Sequence, residues 1–185
     1  MSETRPQIYH LLSTLLDYPN PGLLESARKC TALLAEESPA AAAEVERFLA
    51  LTEKTEAGRL EEIYTGTFDI NPTCTIYAGY QLFGESYKRG EFLARLREKY
   101  RERDFFEGNE LADHLAVVLR FLGRLDPEEP LARELTEDCL LPALEKMNRS
   151  FPSAETGNPY ALVLKAAASI IEQDLLARPG EGESS

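Results

Sequence analysis

The side chains whose types and spacing could support metal or nucleophilic chemistry are few: His10 and His114, the thiols Cys30, Cys74 and Cys139, and the cluster Glu110, Asp113 and His114. On a helix Glu110 and His114 stand at i,i+4, so one ion could sit between them. A carboxylate-bridged two-metal bundle needs two Glu-x-x-His pairs on facing helices, and the sequence holds none. The simpler reading is structural: acids at a helix start suit the positive end of its dipole, and the histidine makes a local hydrogen bond. A helical metalloenzyme using Glu110, Asp113 and His114 is kept as the alternative of a different class. There is no Gly-x-Ser-x-Gly nucleophile turn and no Gly-rich phosphate loop. The cysteines are far apart and form no Cys-x-x-Cys pair, so they read as buried thiols in a reducing compartment.

The richer feature is aromatic. Tyr64 and Phe68 end one helical pattern, and Ile76, Tyr77, Tyr80, Phe83 and Tyr87 follow along a turn-rich stretch. Packing in the core is the first explanation for aromatics at helical spacing. A groove is the second, because tyrosines with apolar bodies and polar tips on an irregular segment suit a peptide that is both apolar and basic.

The elements that must position these residues are helical. The chain of 185 residues has 28 Leu and 21 Ala against 4 Val and 6 Ile, which favours helix over strand. The length suits one domain with a self-sufficient core. Apolar spacing and breakers predict helices at 6–17, 21–36, 39–54, 57–68, 88–103, 111–125, 130–149 and 159–177. Asn20-Pro21, Ser38-Pro39 and Asn158-Pro159 supply capping residues before a first-turn proline, and Pro142 should kink or break the seventh helix. The expected fold is therefore all-α, a single-domain bundle of about eight helices over 1–177. An irregular segment spans 69–87, with a short helical piece near 77–83, and a disordered tail covers 178–185.

Charge narrows the partners. The net charge is -12, and residues 124–185 carry half of the excess. Phosphate backbones and anionic lipid surfaces require clustered cations, so neither nucleic acid nor stable membrane association is expected; a cationic peptide is. The one locally basic stretch, 88–103, reads as a solvated helix face laced by pairs such as Glu91 with Arg95. No apolar run is long enough to span a bilayer, and the first residues lack a signal-peptide pattern, so a soluble, non-exported protein is expected.

The run EIYTGTFDINPTCTIYAGYQLFGESYKRGEFL from Glu62 to Leu93, followed by ELADHLAVVLRFLG from Glu110 to Gly123, resembles the nitrate reductase delta-subunit chaperones. These are the NarJ branch of the TorD-like redox-enzyme maturation family. The family's Tyr-x-x-x-Phe-Asp segment matches Tyr64, Phe68 and Asp69. Its Gly-Glu-Ser-x-x-Arg-Gly signature matches Gly84, Glu85, Ser86, Arg89 and Gly90, and its Leu-Pro-Asp-His-Leu helix start matches Leu111, Asp113, His114 and Leu115. Ala112 stands where the family commonly has proline. The opening IYHLLSTLLDYPNPGLLE is also similar, so the likeness spans residues 8–125.

The resemblance implies an all-α cytoplasmic chaperone that is not an enzyme and holds no cofactor of its own. Its partner would be the apo catalytic subunit of a respiratory nitrate reductase, bound through a basic, apolar N-terminal leader or remnant. Binding would assist molybdenum cofactor insertion and delay membrane docking. A dimethyl sulfoxide, selenate or chlorate reductase is the alternative client, and a general helical adaptor is a third possibility. The expected peptide-binding residues are Tyr64, Phe68, Asp69, Tyr77, Tyr80, Phe83, Glu85, Asp113 and His114. Arg89 is expected to bridge to acids such as Glu85, and Gly90 to relieve crowding at a helix start. A monomer is the expected state, with an element-swapped dimer as its alternative.

Overall fold

Leucine and alanine at three- and four-residue spacing fold into successive helices, described in a computed structural model over residues 4–70, 74–151 and 157–177. They are α1 (Thr4–Leu16), α2 (Leu23–Glu37), α3 (Pro39–Thr52), α4 (Ala57–Phe68), α5 (Ala78–Phe83), α6 (Tyr87–Arg101) and α7 (Leu115–Leu122). There follow α8 (Pro130–Glu134), a π-helical turn (Leu135–Leu140), α9 (Leu141–Arg149) and α10 (Pro159–Ala177). No strand occurs among the described residues; one isolated antiparallel bridge joins Tyr77 to His114. The tail expected at 178–185 lies outside the described residues.

The capping residues act in three ways. Ser38 is the N-cap of α3 with Pro39 behind it, placed by its backbone rather than by a side-chain bond. Asn158 Oδ1 accepts the Tyr160 N–H at 3.0 Å. Asn20 Oδ1 accepts the Gly22 N–H at 2.9 Å, so the N-cap of α2 falls on Gly22, and the helix starts later than the proline suggests.

Two expectations are corrected. The sixth expected helix begins at Leu115 rather than 111, because residues 111–114 turn and pair with the segment before α5. The helix expected over 130–149 is divided, by a π-helical turn just before Pro142 rather than by a kink at it: the Leu141 N–H donates to the Thr136 carbonyl, five residues back, and the proline then sits in the first turn of α9. A first turn needs no amide hydrogen there.

The core is built around α7, in which every residue except Arg120 is buried. α1 packs on α7, α2 and α10, and α10 packs on α3 and α9. An aromatic stack closes one end: Tyr64 meets Phe68, Tyr160 and Tyr18 edge-on with centroids 5.0, 5.3 and 5.4 Å apart. The basic helix α6 and the turn after it are laced outward, Arg95 to Glu134 at 2.6 Å and Arg103 to Glu129 at 2.7 Å. Arg95 thus reaches α8 rather than the expected Glu91. Such exposed pairs contribute about 0–1 kcal/mol each. Cys30, Cys74 and Cys139 are free and buried, and burial pushes each thiol up to about 12.

Candidate peptide-binding surface

The short helix α5 is held from three sides. The Ala78 N–H donates to the Asp113 carbonyl at 2.8 Å, and the Leu115 N–H donates to the Ile76 carbonyl at 2.9 Å, the two bonds of the Tyr77–His114 bridge. At its other end Lys146 Nζ donates to the Gln81 carbonyl at 2.7 Å. α5 stops at Gly84, whose φ of 62° and ψ of -159° suit glycine alone. Gly79 permits the closest approach, since a Cβ there would lie 2.6 Å from Asp113 Oδ2 and 2.9 Å from Phe92.

Arg89, in the first turn of α6, reaches back across this junction. Its Nε donates to Asp113 Oδ2 at 2.9 Å and its Nη2 to Oδ1 at 3.3 Å. The guanidinium also lies 5.5 Å from the Tyr77 ring centroid and 5.7 Å from that of Tyr80. Planar charge between two aromatic faces and a carboxylate fixes both rings. The expected bridge from Arg89 to Glu85 is therefore corrected to Asp113. The reading of Gly90 is corrected as well, because a Cβ there would meet nothing within 4 Å.

His114 is the N-cap of α7, its Nδ1 accepting the Ala116 N–H at 3.2 Å, with the Tyr77 ring edge-on at 5.5 Å. Burial, aided by Arg120, lowers its pKa to about 4, so the ring is neutral. Asp113, committed to Arg89, and His114, committed to its own helix, are not disposed as ligands. Glu110 is exposed and, among the described residues, accepts only the Tyr77 hydroxyl, at 3.4 Å. Among the described residues no group of three His, Cys, Asp or Glu could hold a metal ion.

The expected peptide-binding residues thus divide. Tyr64, Phe68, Asp113 and His114 are interior, Tyr64 donating its hydroxyl to the Leu16 carbonyl at 3.0 Å. In this arrangement they lie beneath the surface that Tyr77, Tyr80 and Asp69 form. Asp69, Phe83 and Glu85 are exposed, and Tyr77 and Tyr80 are half-buried. Asp69 contributes to the raised pKa values of Tyr18, Tyr64 and Tyr77, and Glu110 to those of Tyr64 and Tyr77, which places these groups in one electrostatic neighbourhood. Sequence reasoning missed Tyr18, Glu61 and Ile70 on this face. Tyr18 arrives from the turn after α1, a long-range contact that leaves no local pattern, while Glu61 stands at i,i+8 from Asp69 on α4 and was open to detection.

Among the described residues, no Lys or Arg is ion-paired with Glu61, Asp69 or Glu110. Around them stand exposed Ile70, Tyr18 and Leu111, 74%, 52% and 39% accessible. Unpaired acids interleaved with uncovered apolar side chains can bind a basic, apolar chain. Among the described residues no helix is long and apolar enough to cross a membrane.

A profile of the nitrate reductase delta subunit matches residues 31–148. The match omits the opening stretch that the sequence resemblance included, and it runs on past α7 into α9. The nitrate reductase-like protein NarX of Mycobacterium tuberculosis, from strains CDC 1551 / Oshkosh and ATCC 25618 / H37Rv, is 30% identical over 166 residues. That alignment covers 86% of this chain but 23% of NarX, so the chain spans under a quarter of the relative's length. In structure, the chain is similar to a protein of Archaeoglobus fulgidus provisionally assigned as a redox enzyme maturation protein, with a TM-score of 0.63 and 21% identity. The superposition covers 93% of this chain and 94% of the other, and carries the fold.

Proposed function

The chain belongs to the nitrate reductase delta-subunit family, whose members are assembly chaperones rather than catalysts, and from that premise we propose that it binds the apo catalytic subunit of a respiratory nitrate reductase. It takes hold of the basic, apolar N-terminal region of that subunit in the cytoplasm. There it keeps the subunit open for molybdenum cofactor insertion and delays its docking at the membrane.

The observation that carries this reading is the set of unpaired carboxylates Asp69, Glu61 and Glu110 among uncovered apolar side chains in a chain of net charge -12. Tyr77, Tyr80 and Phe83 offer the apolar contact, and Asp69, Glu110 and Glu85 meet the cations. Asp113, His114, Tyr64 and Phe68 hold that face in shape from beneath. Apolar contact gives affinity, and the acids give orientation and association rate.

The test is co-purification of the tagged protein from its own cells grown anaerobically with nitrate, repeated with molybdenum cofactor synthesis blocked. The expected partner is a nitrate reductase catalytic subunit, enriched further when the cofactor is missing. A different molybdoenzyme subunit would reassign the client, and recovery of no such subunit in either culture would overturn the proposal.

A further inference from the structure

The acidic face does not end at Asp69. Glu61, Thr65 and Asp69 stand at i, i+4 and i+8, one stripe along α4 to its C-cap. Glu61 at the far end lies beside the Tyr18 hydroxyl and also borders a cleft of about 310 Å³. The cleft opens between the turn after α1, the start of α2 and the start of α4, and its walls are mainly apolar: Pro19, Pro21, Leu23, Leu24, Ala57 and Leu60. Leu23 and Leu60 belong to the core, while Leu24 is half-buried and Ala57 exposed, so the cleft has a fixed floor and an open mouth.

Resting on the function proposed above, we propose that the client segment is read at two points. Its cations meet Asp69 and Glu110, and one large apolar side chain enters the cleft past Glu61. Charge complementarity names the occupant, because the mouth of the cleft carries a carboxylate with no cation partner among the described residues and is continuous with two more. An acidic or purely apolar segment would leave those charges unanswered. The geometry also sets a spacing. From Leu60 to Asp69 the helical rise amounts to about 14 Å, which corresponds to about nine residues of a helical peptide. For an extended peptide the same span is about four residues.

The probe is a fluorescein-labelled, helix-forming synthetic peptide with two arginines near one end and a phenylalanine about nine residues away, the spacing that the helical rise requires. Its control has alanine in place of the phenylalanine. Binding is followed by anisotropy with the full chain and with Leu24→Gln, Ala57→Phe and Asp69→Asn. Leu24→Gln makes the wall polar, and Ala57→Phe fills the mouth from an exposed position. Each should raise Kd for the phenylalanine peptide about tenfold, the scale of losing one buried apolar side chain, and leave Kd for the alanine peptide unchanged. Asp69→Asn should weaken both peptides. If neither cleft variant changes phenylalanine-peptide binding while Asp69→Asn still weakens it, the cleft is overturned and the acidic face stands. Failure of the unsubstituted chain to bind either peptide would overturn both proposals.

Discussion

Arg89 and Asp113, 24 residues apart in the chain, meet as a two-pronged ion pair in which the Asp113 side chain is fully buried and that of Arg89 only 18% exposed. The pair joins α6 to the turn before α7 and presses Tyr77 and Tyr80 into place. It therefore lies beneath the acidic face and braces it. Removing one partner strands the other, which costs far more than the pair contributes.

Arg89→Ala should accordingly destabilise the chain by about 3 kcal/mol, and Arg89→Lys should recover little, since an ammonium cannot make the fork or stack on the rings. Urea unfolding checks both. A loss within the range of an exposed ion pair would show that Asp113 finds other partners.

Gly79 and Gly90 should respond oppositely to the same change. At Gly79 a methyl group would meet Asp113 Oδ2 at 2.6 Å and Phe92 at 2.9 Å, so Gly79→Ala must shift the ion pair or the ring. Overpacking of this kind costs about 1–3 kcal/mol. Gly90 lies within α6 with nothing near its missing Cβ, so Gly90→Ala should raise stability by up to about 1 kcal/mol. Thermal unfolding midpoints on either side of the unsubstituted chain are the expected result.

Much of the helix order was legible because leucines recur at three- and four-residue spacing, as in Ile8, Leu12 and Leu15 of α1. What the sequence hid was non-local. The pairing of Tyr77 with His114 delays α7 by a turn, and Asp113 outcompetes the nearer Glu85 for Arg89. Pro142 is accommodated by a change of helical register upstream that its own position does not announce. The aromatic set was visible as a set, but which members are covered depends on neighbours such as Tyr160 and Leu16, far away in sequence.

His114 makes stability fall on mild acidification. Its folded-state pKa of about 4 lies below the ordinary 6.5, so the unfolded chain binds the proton more tightly. The stabilising effect is whole above about pH 6.5 and is lost as pH falls through about 4, amounting to about 3 kcal/mol. Burial raises the pKa of Asp17 and gives the opposite slope, so the informative comparison is with a variant. His114→Asn retains a capping acceptor and should flatten urea-derived stability between about pH 7 and 5. An unchanged slope would show that the ring is reached by water.

The three thiols should be silent in the folded chain. With each pushed up to about 12 by burial, the thiolate fraction at about pH 8 is minute and the sulfur is covered. A colorimetric disulfide reagent should titrate no thiol natively and all three in denaturant. Rapid native reaction of any one would show local opening of the segment that carries it.

If carboxylates guide the client to this surface, salt must act mainly on arrival. Glu61, Asp69 and Glu110 are exposed, so their pull extends about 10 Å at ordinary ionic strength and shrinks to about 3 Å in molar salt. Apolar contacts made after landing are not screened in this way, and they govern departure. Stopped-flow binding of a basic, apolar peptide should thus show an association rate that falls about tenfold between low and high salt, with dissociation changing little. Asp69→Asn and Glu110→Gln should each lower the low-salt association rate and weaken its salt dependence. Tyr80→Ala, by removing apolar contact, should speed dissociation instead. An association rate indifferent to salt would remove the carboxylates from recognition and leave the apolar face alone to account for binding.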